Sequence, residues 1–274
     1  MKIVVIGANG YFGPKLIDYF HKQYHDVAVV VRSDKHLVSP HRTLITEEFN
    51  EAELRTFYNE FQPDAIVNLA WMGSTGDLRN CKETQIANVD FVYNHAELAR
   101  DLKIPYYFAG SIAQKVNNHE TLYGEYKLKI TQMLKDCKNS TCLMLANICG
   151  GEDLTNRFLI ALMTKFHNNE EVKINTTGTQ NLSVISAETA SLLINERIYR
   201  NHTENYDNDE LFVGTEPKEV KWILENIHTI IDSKSKLEFG TNIVQSMNLD
   251  DVNLSHVNST AYEELKIIVQ STSF

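Results

Sequence analysis

Tyr123 and Lys127 stand four residues apart in Tyr123-Gly124-Glu125-Tyr126-Lys127. On a helix that spacing puts both on one face, where an ammonium favours the ionised form of a neighbouring phenol. Such a tyrosine can exchange a proton near neutral pH. Tyr126 has no such partner, because Ile130 occupies its i+4 position. Nearby, Phe108-Ala109-Gly110-Ser111 ends an apolar run on a hydroxyl. Far upstream, Gly7-Ala8-Asn9-Gly10-Tyr11-Phe12-Gly13 follows the apolar residues 3–6. Glycines three apart between a strand and a helix allow a tight turn, close approach of a pyrophosphate and close helix packing. Together these residues predict a nicotinamide dinucleotide and a proton donor. An exposed pair on a helix and a glycine turn that binds nothing are the plainer readings, and position in the fold decides between them.

Residues 1–150 alternate short β-branched runs with helical patterns, as βαβ units around a parallel sheet do. Strands are expected at 3–6, 27–31, 43–45, 65–69, 106–109 and 142–146, most of them continuously apolar like strands buried on both faces. Helices are expected at 16–20, 52–61, 83–100 and 122–135, where apolar residues recur at three and four. The glycine loop therefore joins the first strand to the first helix, with Pro14 in the first helical turn, where a missing N–H costs little. Ser111 falls at the carboxyl end of the fifth strand, the side on which open α/β sheets bind ligands. The Tyr-Lys pair opens the helix that follows.

The fold class expected is α/β, a Rossmann-type doubly wound parallel sheet over residues 1–150 with a smaller C-terminal substrate-binding lobe over 151–274. After Gly150-Gly151 the rhythm changes. Residues 158–166 read as a helix, 172–174 as a short strand, and 187–198 as a helix returning to the main sheet. Order is also expected at 211–213, in a helix over 218–231 and at 237–239, whereas 241–259 resists assignment and 201–210 reads as a lobe loop or a disordered stretch.

The second strand ends in Val30-Val31-Arg32-Ser33, where an NAD site usually carries a carboxylate for the ribose hydroxyls. Arg32 and Ser33 suit a 2′-phosphate and point to NADP, with NAD possible. Against this, Arg32 could be a solvated residue after a strand, and Asp34 lies close by. The chain has 26 basic and 36 acidic residues, a net charge of −10 with no basic cluster, which argues against a nucleic-acid surface. Its longest apolar runs fall far short of the ~20 residues of a membrane helix. No secretory signal opens the sequence, and Cys81, Cys137, Cys142 and Cys149 form no C-x-x-C pair, so cytoplasmic localisation and free thiols are expected. No metal site is expected.

These motifs resemble the extended short-chain dehydrogenase/reductases, the sugar-nucleotide epimerase/dehydratase superfamily. The resemblance rests on Gly7, Gly10 and Gly13, on Ser111, and on Tyr123 with Lys127. Asn68-Leu69-Ala70, Asn88-Val89 and Asn147-Ile148-Cys149-Gly150 resemble three further segments of that family, and a weaker likeness runs through Gly178-Thr179-Gln180 to Ala190. It implies Tyr123 as general acid or base, Lys127 lowering its pKa and holding the nicotinamide ribose, and Ser111 hydrogen-bonding the substrate oxygen. The cofactor would lie against Gly7, Asn9, Gly10, Tyr11, Phe12, Gly13, Arg32, Ser33, Leu69, Ala70, Asn88, Lys127 and Ile148. Asn147 would face the sugar or its diphosphate. Trp71 could stack on a substrate ring or pack in the core, and Arg157 could replace the diphosphate-binding arginine that many relatives carry where this chain has Asn181.

Dehydratases of the superfamily carry Asp-Glu directly after the catalytic hydroxyl, whereas this chain reads Ile112-Ala113-Gln114. Epimerase/reductases add an acid/base pair, commonly Cys and His, for which Cys149 and His119 or His167 are weak candidates. The segment Ala70-Trp71-Met72-Gly73-Ser74, with Arg79, Gln85 and Asn88, resembles NDP-hexose 4-ketoreductases such as the CDP-abequose synthase group. The expected activity is NADPH-dependent reduction of a nucleotide-linked 4-keto-6-deoxy sugar. The alternatives are a sugar-nucleotide 4-epimerase and a non-catalytic NADP-binding regulator. The resemblance also implies a homodimer through the helices at 83–100 and 122–135, with Phe91, Val92, Leu128 and Met133 available for a second apolar face.

Overall fold

Residues 3–6 and 27–31 are apolar and largely β-branched, a composition that suits strands covered on both sides. In the computed structural model, which describes residues 1–33, 42–115, 121–150, 158–204, 210–244 and 259–272, they are the central strands of a sheet. The first elements are β1 (Lys2–Ile6), α1 (Gly13–Lys22), β2 (Asp26–Val31), β3 (Arg42–Ile45), α2 (Glu51–Phe61) and β4 (Ala65–Asn68). There follow α3 (Lys82–Asp101), β5 (Tyr106–Ser111), α4 (Leu122–Met133), β6 (Ser140–Leu145), β7 (Asn147–Cys149) and α5 (Phe158–His167). The chain continues through β8 (Val172–Thr176), β9 (Asn181–Leu182), β10 (Val184–Ser186), α6 (Ala187–Glu204) and β11 (Leu211–Val213). It ends in β12 (Lys218–Glu219), α7 (Val220–Ile231), β13 (Leu237–Asn242) and α8 (Ala261–Ser271).

Seven strands form the main sheet in the order β11-β6-β5-β4-β1-β2-β3. β1 pairs parallel to both β2 and β4, with Ile6 opposite Val30 on one side and Asn68 on the other. β2–β3 and β4–β5 are parallel too. The strand order reverses at β1, so the loop after Ile6 lies at the switch point where doubly wound sheets open a crevice. This is the expected Rossmann-type architecture.

The chain divides into two compact units. The first comprises 1–114, 118–144 and 191–211, so most of α6 belongs with it, and the second comprises 115–117, 145–190 and 212–274. In the first unit Val4, Ile6, Val30, Ile66, Tyr106 and Phe108 pack beneath α2, α3 and α4, which contribute Leu54, Phe57, Tyr58, Val89, Val92, Ala96 and Ile130. Ile3, Val5, Val29 and Tyr107, alternate along the strands and also buried, face the other way. Val92 is thus spent in the core and not on an outer face; of the residues expected there, Met133 is the exposed one at 44%. In the second unit α5, α7 and α8 bury Leu159, Met163, Phe166, Ile223, Leu224, Ile227, Leu265 and Ile268 against β8 and β10. Among the described residues no helix is long and apolar enough to cross a membrane. All four cysteines are free of disulfides.

Several elements differ from expectation: β7, β9 and β10 are short strands that the sequence pattern does not single out, and α6 runs on to Glu204, into the stretch 201–210 read as a loop or a disordered segment. Lys218 and Glu219 pair antiparallel with Leu182 and Asn181 before the helix begins at Val220. The helix α8 was not foreseen, although Thr260 and Glu263 form a capping box that satisfies donors at its start. Thr-x-x-Glu ahead of an amphipathic run is the signal for it.

At the switch point, Gly7 adopts φ +81°, and a Cβ there would stand 2.7 Å from the Ala70 amide nitrogen. A Cβ on Gly13 would overlap the Ala8 carbonyl, so only glycine lets α1 start this close to the loop. Gly13→Ala is expected to lower stability by roughly 1–3 kcal/mol through overpacking. A urea titration should show a lower midpoint at unchanged m, and an unshifted midpoint would contradict the packing described.

Candidate active site

The glycine loop is tied down on both sides. The Gly7 amide donates to Val30 O (3.1 Å), the Leu69 amide donates to Ile6 O (2.9 Å), and the Gly10 amide donates to Gly7 O (3.0 Å). Asn9 reaches across to β2, its Nδ2 donating to Ser33 O at 2.6 Å, which fixes the segment carrying Arg32 and Ser33 against the loop. Arg32 is exposed beyond β2, with Nη1 donating to the Met72 sulfur (3.2 Å). Lys15 Nζ lies 4.1 Å from the Tyr11 ring centroid. Phe12 precedes α1 without a side-chain cap, no acid occupies the first turn, and Pro14 sits at its start. The helix thus starts without a side-chain cap or an acid in its first turn, a favourable end for an anion.

These residues fit a dinucleotide. Asn9 Oδ1 is buried without a hydrogen-bond partner. A Cβ on Gly10 would meet only the Gly7 carbonyl oxygen, at 3.3 Å, so that side of the loop is open to an approaching group.

A second loop, 70–81, joins β4 to α3 and is moored by three amide side chains. Asn68 accepts from the Ala70 amide (2.9 Å) and donates to Tyr106 Oη (2.7 Å). Asn88 pairs doubly with Met72, accepting from its amide (2.9 Å) and donating to its carbonyl (2.8 Å). Gln85, fully buried, accepts from Trp71 Nε1 (2.9 Å) and donates to Leu78 O (2.9 Å). A buried amide left without partners would be costly, so each one holds its loop carbonyl or N–H firmly. Asn88 therefore shapes this loop through the Met72 backbone.

That loop meets α4. Thr121 caps α4 by accepting from the Gly124 amide (3.4 Å), and the Leu122 amide donates to Asn80 Oδ1 (3.1 Å). Trp71 packs edge-on to Tyr123, with ring centroids 6.2 Å apart, and the Arg79 guanidinium lies 4.6 Å from the Tyr123 centroid. Lys127 is 1% exposed, its Nζ donating to the Ala109 carbonyl of β5 and lying 3.6 Å from the Trp71 centroid and 5.8 Å from that of Tyr123. Burial pushes the Lys127 ammonium down to about 7, with Cys142 opposing that shift. The same-face geometry read from the spacing is thereby realised, with Trp71 as a third member that spacing alone does not identify.

Ser111 ends β5 and is buried. Its Oγ accepts from the Ala113 amide (3.2 Å), and its own amide donates to Gln114 Oε1 (3.2 Å). Gln114, on the short 3₁₀ turn Ile112–Lys115, is itself buried and also faces Thr131. A Cβ on Gly110 would overlap the Cys142 sulfur, so this strand end admits no larger residue.

In the second unit, Asn147 Nδ2 donates to Ser183 O (3.0 Å) and Ile148 is buried opposite Ile185. The buried Cys149 donates to Asn147 O at 3.5 Å. Asp34, His119 and Arg157 lie outside the described residues. The structure thus brings Tyr123, Lys127, Ser111, Trp71 and the glycine loop into one unit.

The chain matches the NAD dependent epimerase/dehydratase family over residues 3–188. It belongs to that family. The family is one of NAD-dependent enzymes of the extended short-chain dehydrogenase/reductase type. No curated protein matches the chain. Among solved structures it is similar to the UDP-glucose 4-epimerase of Brucella ovis in complex with NAD, at 14% identity, with 99% of this chain and 97% of that one covered and a TM-score of 0.80. It is similar also to the UDP-glucose 4-epimerase of Thermotoga maritima, at 17% identity, 99% and 98% coverage and a TM-score of 0.76. The ADP-L-glycero-D-manno-heptose-6-epimerase of Helicobacter pylori gives 17% identity, 98% and 95% coverage and a TM-score of 0.78. At these identities the likeness is one of fold.

The buried ammonium leaves a trace in stability. Lys127 has an ordinary value of 10.5 and is depressed to about 7 in the fold, so between those values the unfolded chain binds the additional proton. Stability from this group therefore rises as pH climbs from about 7 towards 10.5 and is lowest below the folded value. Lys127→Met removes the effect. The stability of the parent relative to the variant, from denaturant titrations across that window, should move in the parent's favour as pH rises; a constant difference would refute the depression.

Proposed function

We propose that this protein reduces the keto group of a nucleotide-linked 4-keto-6-deoxy sugar to a hydroxyl, with NADPH as the preferred reductant. The observation that carries this reading is the residue set around Ser111. Ile112, Ala113 and Gln114 offer no ionisable group beside the hydroxyl, and Gln114 Oε1 accepts from the Ser111 amide. Elimination of water needs an acid and a base there, whereas carbonyl reduction needs one proton donor at the oxygen.

The chain's own residues supply that donor. Tyr123 gives its phenolic proton to the substrate oxygen as negative charge develops on it. The ammonium of Lys127 and the guanidinium of Arg79 stabilise the phenolate left behind. Ser111 donates a hydrogen bond to the same oxygen, and the turn at 112–115 holds its hydroxyl at the strand end. When bound along the glycine loop, the nicotinamide cofactor supplies the hydride. Asn147 is assigned to the sugar or its diphosphate, and Arg157 to the diphosphate. A homodimer through α3 and α4 belongs to the same reading.

Arg32 and Ser33 support NADPH, since a guanidinium and a hydroxyl at the end of β2 can hold a 2′-phosphate that a carboxylate there would repel. Arg32→Ala should raise the KM for NADPH by roughly ten-fold or more while leaving that for NADH nearly unchanged, the loss of one charge-assisted contact. Equal effects on both cofactors would remove the preference.

A sugar-nucleotide 4-epimerase is the second reading. It is favoured by the similar solved structures, several of which are UDP-sugar 4-epimerases. Purified protein incubated with NADPH or NADH and a panel of nucleotide-linked 4-keto-6-deoxy sugars, with products identified by mass, separates the two. Reduction predicts substrate-dependent NADPH consumption and a two-hydrogen gain, and Tyr123→Phe should lose roughly 10²–10⁴-fold in turnover while still binding cofactor. Isomerisation of nucleotide hexoses without net cofactor consumption would put the epimerase in its place.

A further inference from the structure

Trp71 stands where an aromatic could meet a substrate ring, yet its ring is already engaged. Its Nε1 donates to Gln85 Oε1 at 2.9 Å. Gln85 is fully buried and its amide donates to Leu78 O at 2.9 Å, so the indole is anchored through α3 and not free to swing. One face of that indole lies over Lys127 Nζ, 3.6 Å from the centroid, and its ring meets Tyr123 at an interplanar angle of 88°.

We propose that Trp71 is a positioning residue that keeps Lys127 in its ammonium form beside Tyr123, and not a platform for the substrate's ring. The proposal rests on the reading of Tyr123 as the proton donor. An ammonium taken out of water loses hydration, and the negative face of an indole returns part of it without a counter-charge. A carboxylate in that place would form an ion pair with Lys127 and draw its charge away from the phenol; an uncharged π face does not. The Ala109 carbonyl supplies the one hydrogen bond from β5. Among the described residues the other titratable and charged groups around Lys127 are Tyr123 on its own helix, Cys142 from β6, and Arg79 across the Tyr123 ring, with Glu210 acting on Cys142. Of these, Cys142 is the one whose charge would favour the ammonium, and burial pushes its thiol up to about 12, so that it stays protonated; among the described residues no carboxylate faces Lys127.

The test replaces tryptophan biosynthetically with mono-, di- and trifluorotryptophan, which weakens the π face while nearly preserving its shape. Trp222, labelled at the same time, lies in the second unit with its ring 5.7 Å from Lys218 and serves as an internal comparison. The readout is the ¹³Cε resonance of Lys127 against pH in protein without substrate or cofactor, assigned by its loss in Lys127→Met. The Lys127 pKa should fall stepwise with fluorination, by about one pH unit across the series. The high-pH limb of NADPH oxidation should move to lower pH in step. An unmoved Lys127 pKa overturns the proposal, and a rise in substrate KM with that pKa unmoved assigns Trp71 to the substrate instead. A stepwise fall in a protein that consumes no NADPH would uphold Trp71's role while refuting the ketoreductase reading, so the two can fail separately.

Discussion

A lysine ammonium held almost entirely out of water is the constraint around which the candidate site is built. Burying an isolated charge is prohibitive, and the fold meets that cost with a β5 carbonyl, an indole face and a nearby phenol. Each of these partners comes from a different element. Lys127 therefore depends on β5, α4 and the loop after β4 keeping their relative positions within the first unit. The sheet beneath them is apolar, β-branched and parallel, a platform with little freedom to shift.

The loop after β4 connects the two halves of the site. Asn68, Gln85 and Asn88 are buried amides whose hydrogen bonds go to that loop, and at its far end Asn80 accepts from the first amide of α4. The same loop carries Ala70, against which Gly7 is packed, and Trp71 and Arg79, which flank Tyr123. One polar network thereby sets both the wall of the glycine loop and the surroundings of Tyr123. Hydrogen-bonded amides suit this task because a buried donor or acceptor cannot drift from its partner without losing its full desolvation energy.

Ser111 closes β5 in surroundings set by the three residues that follow it. With Ile112 buried and Gln114 Oε1 accepting from the Ser111 amide, no charged side chain directly follows Ser111, and the charged groups beside the Tyr123 ring are Arg79 and Lys127. Such charges favour negative charge on a nearby phenol or alkoxide. The likeness to epimerases of the same fold is compatible with either reduction or epimerisation, because fold does not fix the reaction.

By itself the sequence determined the alternation of strands and helices, the glycine loop at the end of the first strand, Ser111 at the end of the fifth, and the pairing of Tyr123 with Lys127. All of these follow from local rules: β-branched runs, apolar periodicity, three-residue glycine spacing and the four-residue helical repeat. It could also have announced α8 through Thr260 and Glu263. Only the tertiary structure decided that Lys127 is buried, that Trp71 covers it, that Gln85 anchors Trp71, and that Gln114 turns back on Ser111. It also assigned most of α6 to the first unit and Val92 to its core. These contacts join residues far apart in the chain, and no local pattern encodes them. They exist because the parallel sheet brings the ends of β1, β4 and β5 side by side, and whatever follows each strand must then pack against its neighbours.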